Sequence, residues 1–216
     1  MSEFSCQTCG RSFSIPQATL DKYPGWTPKQ CRQCKPAKGK PAATRRGASL
    51  RRSATAEEDL PLAEVLKKYS AGPDTGVFTD GAAVPNPGAG GWGAVYVREG
   101  TIIAEADGEE SHTTNNRMEL TALIAGFKLV PKGESVSVWT DSQLCVNSIT
   151  RWAAGWERAG WKRKSGPIKN LELVQELYSL SKERPELELK WIKAHSGNLW
   201  NEYADSLATA YRRSVR

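Results

Sequence analysis

The sequence predicts an α/β fold, a mixed five-stranded sheet flanked by helices, preceded by a small module stapled by cysteines. Three observations carry this. From Thr75 onward three strand-like runs follow one another and strands then alternate with helical patterns, the order of a sheet that opens as an antiparallel meander. Two Cys-x-x-Cys pairs stand within the first 35 residues. Acidic residues fall at strand and helix junctions, at Asp80, Glu119 and Asp141, with Asp205 inside the closing helical pattern.

The chain's 216 residues hold one medium domain with a proper core plus a small appendage. No apolar run approaches the ~20 residues that span a bilayer, so no membrane partner is expected. The N-terminus lacks the basic-then-apolar layout of a secretory signal, and the protein reads as intracellular, in the cytoplasm, where paired cysteines point to metal rather than to disulfides. The net charge of +6 is uneven. Residues 1–58 carry 11 Lys/Arg against 4 Asp/Glu, or +7, and residues 59–216 carry 19 against 20, or −1. Such asymmetry suits a nucleic-acid partner, although basic tails also serve as plain solubilising segments.

Residues 1–35 hold Cys6, Cys9, Cys31 and Cys34, the pairs separated by 21 residues. This spacing fits one structural Zn²⁺ held tetrahedrally by four thiolates, each pair forming a knuckle, with Gly10 allowing a tight turn. So short a segment buries little apolar surface, and the metal would supply most of its stability. It resembles the zinc ribbons. Phe13, Tyr23 and Trp26 fit either stacking on bases or a miniature core. Residues 36–73 read as a basic flexible linker with a short helix near 60–69. The stretch 36–58 is rich in Lys, Arg, Ala, Ser and Pro, and serves as phosphate attraction or as a solvated tether. In LPLAEVLKKY, Pro61 sits at a permitted first-turn position and Gly72-Pro73 stops the helix.

Residues 74–216 form the second domain. Strands are expected at 75–80, 91–98 and 101–107, with Asp80 where the first strand stops and Gly81 breaking it. A helix spans 115–130, where Met118, Ala122, Ala125 and Leu129 share a face and Pro131-Lys132-Gly133 ends it. A strand at 135–140, a helix from 142 to about 149, a Trp- and base-rich stretch at 151–164, a helix at 170–182, a strand at 187–192 and a helix at 200–212 complete the chain.

If their strands are neighbours, Asp80, Glu119 and Asp141 converge, and the last helix brings in Asp205. Four carboxylates in one pocket cannot all stay ionised without cations. Oxygen ligands favour Mg²⁺ or Mn²⁺ over zinc, and two such ions ~4 Å apart would activate a water and steady a leaving oxygen in phosphoryl transfer. Taken singly, each acid reads as a surface charge. There are 24 Asp/Glu, and spacing alone does not select these four.

The surrounding words select them. TDGAAVPNPGAGGWG, TTNNRMELTA, TDSQ and KAHSGNLWNEYAD, in that order, resemble the type 1 ribonuclease H family over about residues 75–212. The resemblance implies a ribonuclease H-like sheet and an endoribonuclease that hydrolyses the RNA strand of RNA–DNA hybrids with two Mg²⁺ or Mn²⁺, leaving 5′-phosphate and 3′-hydroxyl ends. It makes Asp80, Glu119, Asp141 and Asp205 the metal-binding carboxylates and His195 an aid to proton transfer or product release. It places Asn86, Asn115, Asn116 and Gln143 on the hybrid's minor groove and 2′-hydroxyls, where amides both donate and accept. Thr114 fits a DNA-phosphate contact. Each Asn equally suits a turn or helix cap. Arg117 and Met118 read as structural.

Trp152, Trp156 and Trp161, with Arg151, Arg158, Lys162, Arg163, Lys164 and Lys169, resemble the family's basic protrusion that holds the DNA strand. The competing account is a Trp-rich helix packed on the core. A split is expected, Trp152 partly in the core and Trp161 outward with its cations. Cys145 reads as a small buried hydrophobe. The sequence departs from the family at Ala82 and Ala83, where small polar or thiol residues are common, and at Trp200 in the His195 segment. A ribbon where many members carry a hybrid-binding module suggests a tethering role. Two rivals stand beside this reading. One is another nuclease of the same fold, a resolvase, a transposase or a proofreading exonuclease; the last would carry Asp-x-Glu on the first strand, which Asp80-Gly81-Ala82 lacks. A non-catalytic hybrid-binding adaptor would not need all four acids and His195. The catalytic domain is expected to act as a monomer.

Overall fold

The computed structural model describes residues 2–23, 25–31, 34, 59–163 and 165–214. The basic stretch 36–58 and Lys164 therefore lie outside the described residues. Two units divide the chain, Met1–Ala54 and Thr55–Arg216.

In the first unit, β1 (Ser2–Ser5) and β2 (Ser12–Ile15) form an antiparallel ribbon, followed by a single helical turn, α1 (Gln17–Leu20). Phe4 lies opposite Phe13 with ring centroids 6.1 Å apart, a cross-strand pair that supplies part of the little apolar packing present. Among the described residues of this unit only Cys6, Pro28 and Cys31 are buried.

The second unit runs α2 (Leu62–Lys68), β3 (Gly76–Ala83), β4 (Gly88–Arg98), β5 (Thr101–Thr113), α3 (Asn115–Leu129), β6 (Val136–Thr140) and α4 (Gln143–Asn147). A π-helical turn at Ser148–Trp152 leads into α5 (Ala153–Arg158), and α6 (Leu171–Glu183), β7 (Leu187–Trp191), α7 (Leu199–Ala208) and α8 (Ala210–Ser214) follow. Its sheet is ordered β5-β4-β3-β6-β7. The β3–β4 and β4–β5 pairs are antiparallel, and β3–β6 and β6–β7 are parallel. Among the described residues no helix is long and apolar enough to cross a membrane.

Alternation along the strands divides the core in two. Val77, Tyr96 and Val138 meet Leu120, Leu123 and Phe127 of α3 and Leu177 of α6. Phe78, Val95 and Val97 point the other way, onto Trp200, Tyr203 and Leu207 of α7. Val65 joins this second cluster at 2% exposure, and Leu60 O accepts a hydrogen bond from Ser206 Oγ at 2.6 Å. The helix that composition placed in the linker thus packs into the domain, because its apolar stripe has α7 to cover it.

β3 does not stop at Asp80. It stays paired with β4 as far as Ala83↔Gly90, while its parallel pairing with β6 ends at Thr79↔Thr140. Gly81 is therefore not a breaker. A Cβ there would meet Glu119 N at 2.2 Å and Met118 C at 2.3 Å, so the missing side chain lets the first turn of α3 settle on the strand. Across the sheet, a Cβ on Gly93 would meet Leu207 Cβ at 2.4 Å and Ala204 O at 2.6 Å, so α7 approaches the opposite face equally closely. At the edge, β5 exposes Glu105, Asp107 and Glu109 in one row.

Candidate active site

The free end of β3 beyond its β6 pairing, the end of β6, the first turns of α3 and the middle of α7 meet around a cavity of about 160 Å³. Asp80, Glu119, Asp141 and Asp205 all line it, with His195, Asn115 and Arg212. Asp80 is 8% exposed, and its Oδ1 accepts from Gly81 N at 2.7 Å. Burial, and then Asp141 and Asp205, hold its carboxyl well above the usual carboxylate range. Burial also raises Glu119, against the pull of the Ser142 hydroxyl, which donates to Glu119 Oε2 at 2.5 Å. Ser142 Oγ in turn accepts from Cys145 N at 3.4 Å and caps α4. One hydroxyl therefore ties the acid on α3 to the turn carrying Asp141. That turn is pinned again through the Asp141 carbonyl, which accepts from Gln143 N and from Trp191 Nε1, both at 3.0 Å.

His195 sits on an exposed loop in the left-handed region at φ 45°, followed by Gly197 at φ 80°. Gly197 N donates to Glu202 Oε1 at 3.3 Å. Ligand atoms of His195, Glu202 and Asp205 lie within 4.8 Å of one another. Trp200 is not part of the loop's surface. It is 5% exposed and packs on Tyr203 at 5.6 Å between ring centroids.

The amide residues divide. Thr114 caps α3, its Oγ1 accepting from Arg117 N at 3.3 Å. Asn115 Oδ1 accepts from Ala83 N at 2.6 Å, and Asn86 Oδ1 accepts from Asn115 N at 3.4 Å, so both caps and turn are served from within the chain. Asn116, Trp152 and Arg163 line a neighbouring cavity of about 300 Å³ with Lys169. Gln143 and Lys162 are exposed.

The two outer indoles exchange the places expected of them. Trp152 is 41% exposed, whereas Trp161 packs edge-on against Tyr178 at 6.0 Å. The π turn ending at Trp152 carries an extra residue per turn, which rotates the following helix relative to a regular α-helical phase. Arg163 donates to the carbonyls of Gly166 and Pro167 at 2.9 and 2.8 Å. Cys145 is buried as expected, but its thiol donates to Glu119 Oε2 at 3.7 Å, and burial and Glu119 push it up to about 12.

Sequence reading missed three residues here. Arg212 lines the carboxylate cavity while paired with Asp59 at 2.9 Å. Glu202 is 7% exposed and holds the His195 loop. Trp191 clamps Asp141. The only signal in the sequence for Glu202 was its place one helical turn before Asp205; for Arg212 there was none.

In the first unit the sulfurs of Cys6, Cys9, Cys31 and Cys34 all lie within 4.8 Å of one another. Cys9 and Cys31 are 3.8 Å apart, the edge (~3.8 Å) of a tetrahedron with Zn–S bonds of ~2.3 Å. Backbone N–H groups, first that of Cys31, bring the Cys6 thiol down to about 6. Hydrogen bonds with Cys9 and Cys31 push Cys34 up to about 12. The four cysteines fit a small zinc-ribbon-like module.

The sequence model of the RNase H family matches residues 73–213. The chain belongs to the type 1 ribonuclease H family. Its ribonuclease H domain is 45% identical over 139 residues to the ribonuclease H of Methylorubrum extorquens, a match spanning 64% of this chain and 60% of that one. It is 43% identical over 143 residues to the ribonuclease H of Polynucleobacter asymbioticus, spanning 66% of this chain and 92% of that one. Among solved structures it is similar to LC9-RNase H1, a type 1 RNase H with the type 2 active-site motif. The identity there is 34%, covering 67% of this chain and 75% of that one, with a TM-score of 0.55. A ribonuclease H is a hydrolase, and the mixed five-stranded sheet with helices on both faces is the fold of the family.

Proposed function

We propose that the chain hydrolyses the RNA strand of RNA–DNA hybrids at the carboxylate cavity with two divalent cations, leaving 5′-phosphate and 3′-hydroxyl ends. The observation that carries this is the convergence of Asp80, Glu119, Asp141 and Asp205, from four separate elements, on one cavity. The donor set is all oxygen, and burial, then Asp141 and Asp205, raise the carboxyl of Asp80 above its usual range. Both features fit Mg²⁺ or Mn²⁺, which these four residues would hold. When bound, the cations supply an acidified water and charge stabilisation at the leaving oxygen. Water oxygen bonds to phosphorus as the P–O3′ bond breaks, and the O3′ departs as a hydroxyl. His195, which lines the cavity on a loop held by Glu202, moves protons or helps release product. Asn86, Asn115, Asn116 and Gln143 serve the minor groove, and Thr114 a DNA phosphate. Trp152, with Lys162, Arg163 and Lys169, serves the DNA strand; Trp161 supports them from beneath. Cys6, Cys9, Cys31 and Cys34 would hold one structural Zn²⁺, and the ribbon and basic stretch aid nucleic-acid binding. The domain acts as a monomer inside the cell.

The test is incubation with RNA–DNA hybrid, duplex RNA and duplex DNA in Mg²⁺, then in EDTA. Cleavage confined to the RNA of the hybrid and abolished by EDTA is expected. Cleavage of duplex DNA, or hybrid cleavage that persists in EDTA, refutes the reading.

A further inference from the structure

Among its described residues, the ribbon leaves its largest side chain exposed. Trp26 is 42% exposed and Tyr23 61% exposed, their rings 6.3 Å apart. Burying an aromatic side chain is a large gain for a module in which only three of the described residues are buried. Trp26 is therefore not the miniature core; Phe4 and Phe13, facing each other across the ribbon, fill that place better. Trp26 instead forms one wall of a groove of about 900 Å³ whose lining includes Phe13, Ile15, Lys29 and Gln30. Residues 1–54 carry 11 Lys/Arg and 2 Asp/Glu, so the unit bearing this groove is +9, and the unit Thr55–Arg216, with 19 against 22, is −3.

Resting on the reading that the chain acts on RNA–DNA hybrids, we infer that the Trp26 groove of the ribbon binds an unpaired nucleic-acid strand flanking the hybrid. An exposed indole offers its face to a base, which a base pair within a duplex cannot reach. Lys29 in the groove lining attracts phosphates irrespective of sequence, and the basic composition of residues 1–54 adds to that attraction. Glutamine and lysine at the rim suit any base or sugar edge. The groove thus gives the enzyme a hold on the strand beside the hybrid, while the cavity around Asp80 does the cutting. Either a DNA or an RNA strand presents the required chemistry.

The experiment measures fluorescence anisotropy of zinc-loaded full chain, carrying Asp80→Asn to prevent cutting, on a blunt hybrid and on the same hybrid with a single-stranded DNA tail or RNA tail. Expected is tighter binding of at least one tailed hybrid. Trp26→Ala should remove that gain, by roughly 5- to 150-fold at one stacked base, and Trp26→Phe should keep most of it. Blunt-hybrid affinity should change little in both. Zinc content is measured for every variant. If Trp26→Ala sheds zinc, Lys29→Ala, an exposed cation at the groove, takes its place and should reduce the tail's gain and its salt dependence. Equal affinity for blunt and tailed hybrids, or a tail gain that survives these substitutions, overturns the inference. Hybrid cleavage by the chain with Asp80 intact, assayed separately on blunt substrate, stands or falls independently.

Discussion

Replacing Gly81 with alanine tests the architecture of the site more sharply than removing any of its acids. The added methyl would lie 2.2 Å from Glu119 N and 2.3 Å from Met118 C, and ordinary contact begins at 3.4 Å. The obstructing atoms are backbone, so no rotamer relieves them. The first turn of α3 must retreat by the difference, 1.2 Å along the closest contact, and Glu119 moves with it. Overpacking of this kind costs about 1–3 kcal/mol. For a unit of this length each kcal/mol lowers Tm by roughly 2–4 °C, giving a loss of about 2–12 °C. The catalytic loss should be larger than the stability loss suggests, because an ångström of misplacement among reacting groups costs ~10²-fold. Thermal unfolding and hybrid cleavage at saturating Mg²⁺ measure the two effects. Gly155→Ala is the control: nothing lies within 4 Å of its Cβ, and a helical site gains by up to ~1 kcal/mol. Should Gly81→Ala retain the parent Tm and turnover, the claim that the missing side chain lets α3 settle on β3 is wrong.

Asp80→Asn should abolish cleavage and, in metal-free buffer, raise Tm, since it removes a buried acid crowded by three others; a fall in Tm with turnover retained would contradict both halves. Carboxyls held above their usual range stabilise the metal-free fold in acid, and that contribution is lost as pH rises from about 4 through the raised values. The Tm increase brought by Mg²⁺ should therefore be larger at pH 8 than at pH 5, and a pH-independent increase in differential scanning fluorimetry would argue against a shared cation site. Ser142→Ala removes both the Glu119 tether and the α4 cap, and calorimetric Mg²⁺ affinity should fall about 10- to 100-fold, with Ser142→Thr recovering much of it. Deleting residues 1–58 should raise the KM on long hybrids and leave kcat unchanged; an unaltered KM would remove the tethering role from the front of the chain.

How much of this was legible depended on how locally each feature is determined. The meander, the α3 face and the four acids were legible because periodicity and motif words are written along the chain. Gly81 was misread because its reason lies 38 positions away, at Glu119. A glycine after a strand acid looks the same whether it ends a strand or admits a helix. The roles of Trp152 and Trp161 were exchanged because one π turn changes which side of the helix faces inward, and no side chain announces that turn. Composition assigned α2 to the linker, since its neighbours are basic and polar and only α7 shows what Val65 is for. Arg212 entered the cavity by the break between α7 and α8, invisible in a continuous helical pattern.

The row of Glu105, Asp107 and Glu109 along β5 has a consequence for crowding as well as for substrate. An outermost strand of thirteen residues offers unmatched amides and carbonyls to any stray strand. Three like charges at every second position make a second copy of this chain a poor neighbour there. The same fence repels phosphates, so a polyanion is steered off this rim of the sheet and toward the cavity that Arg163 and Lys169 line.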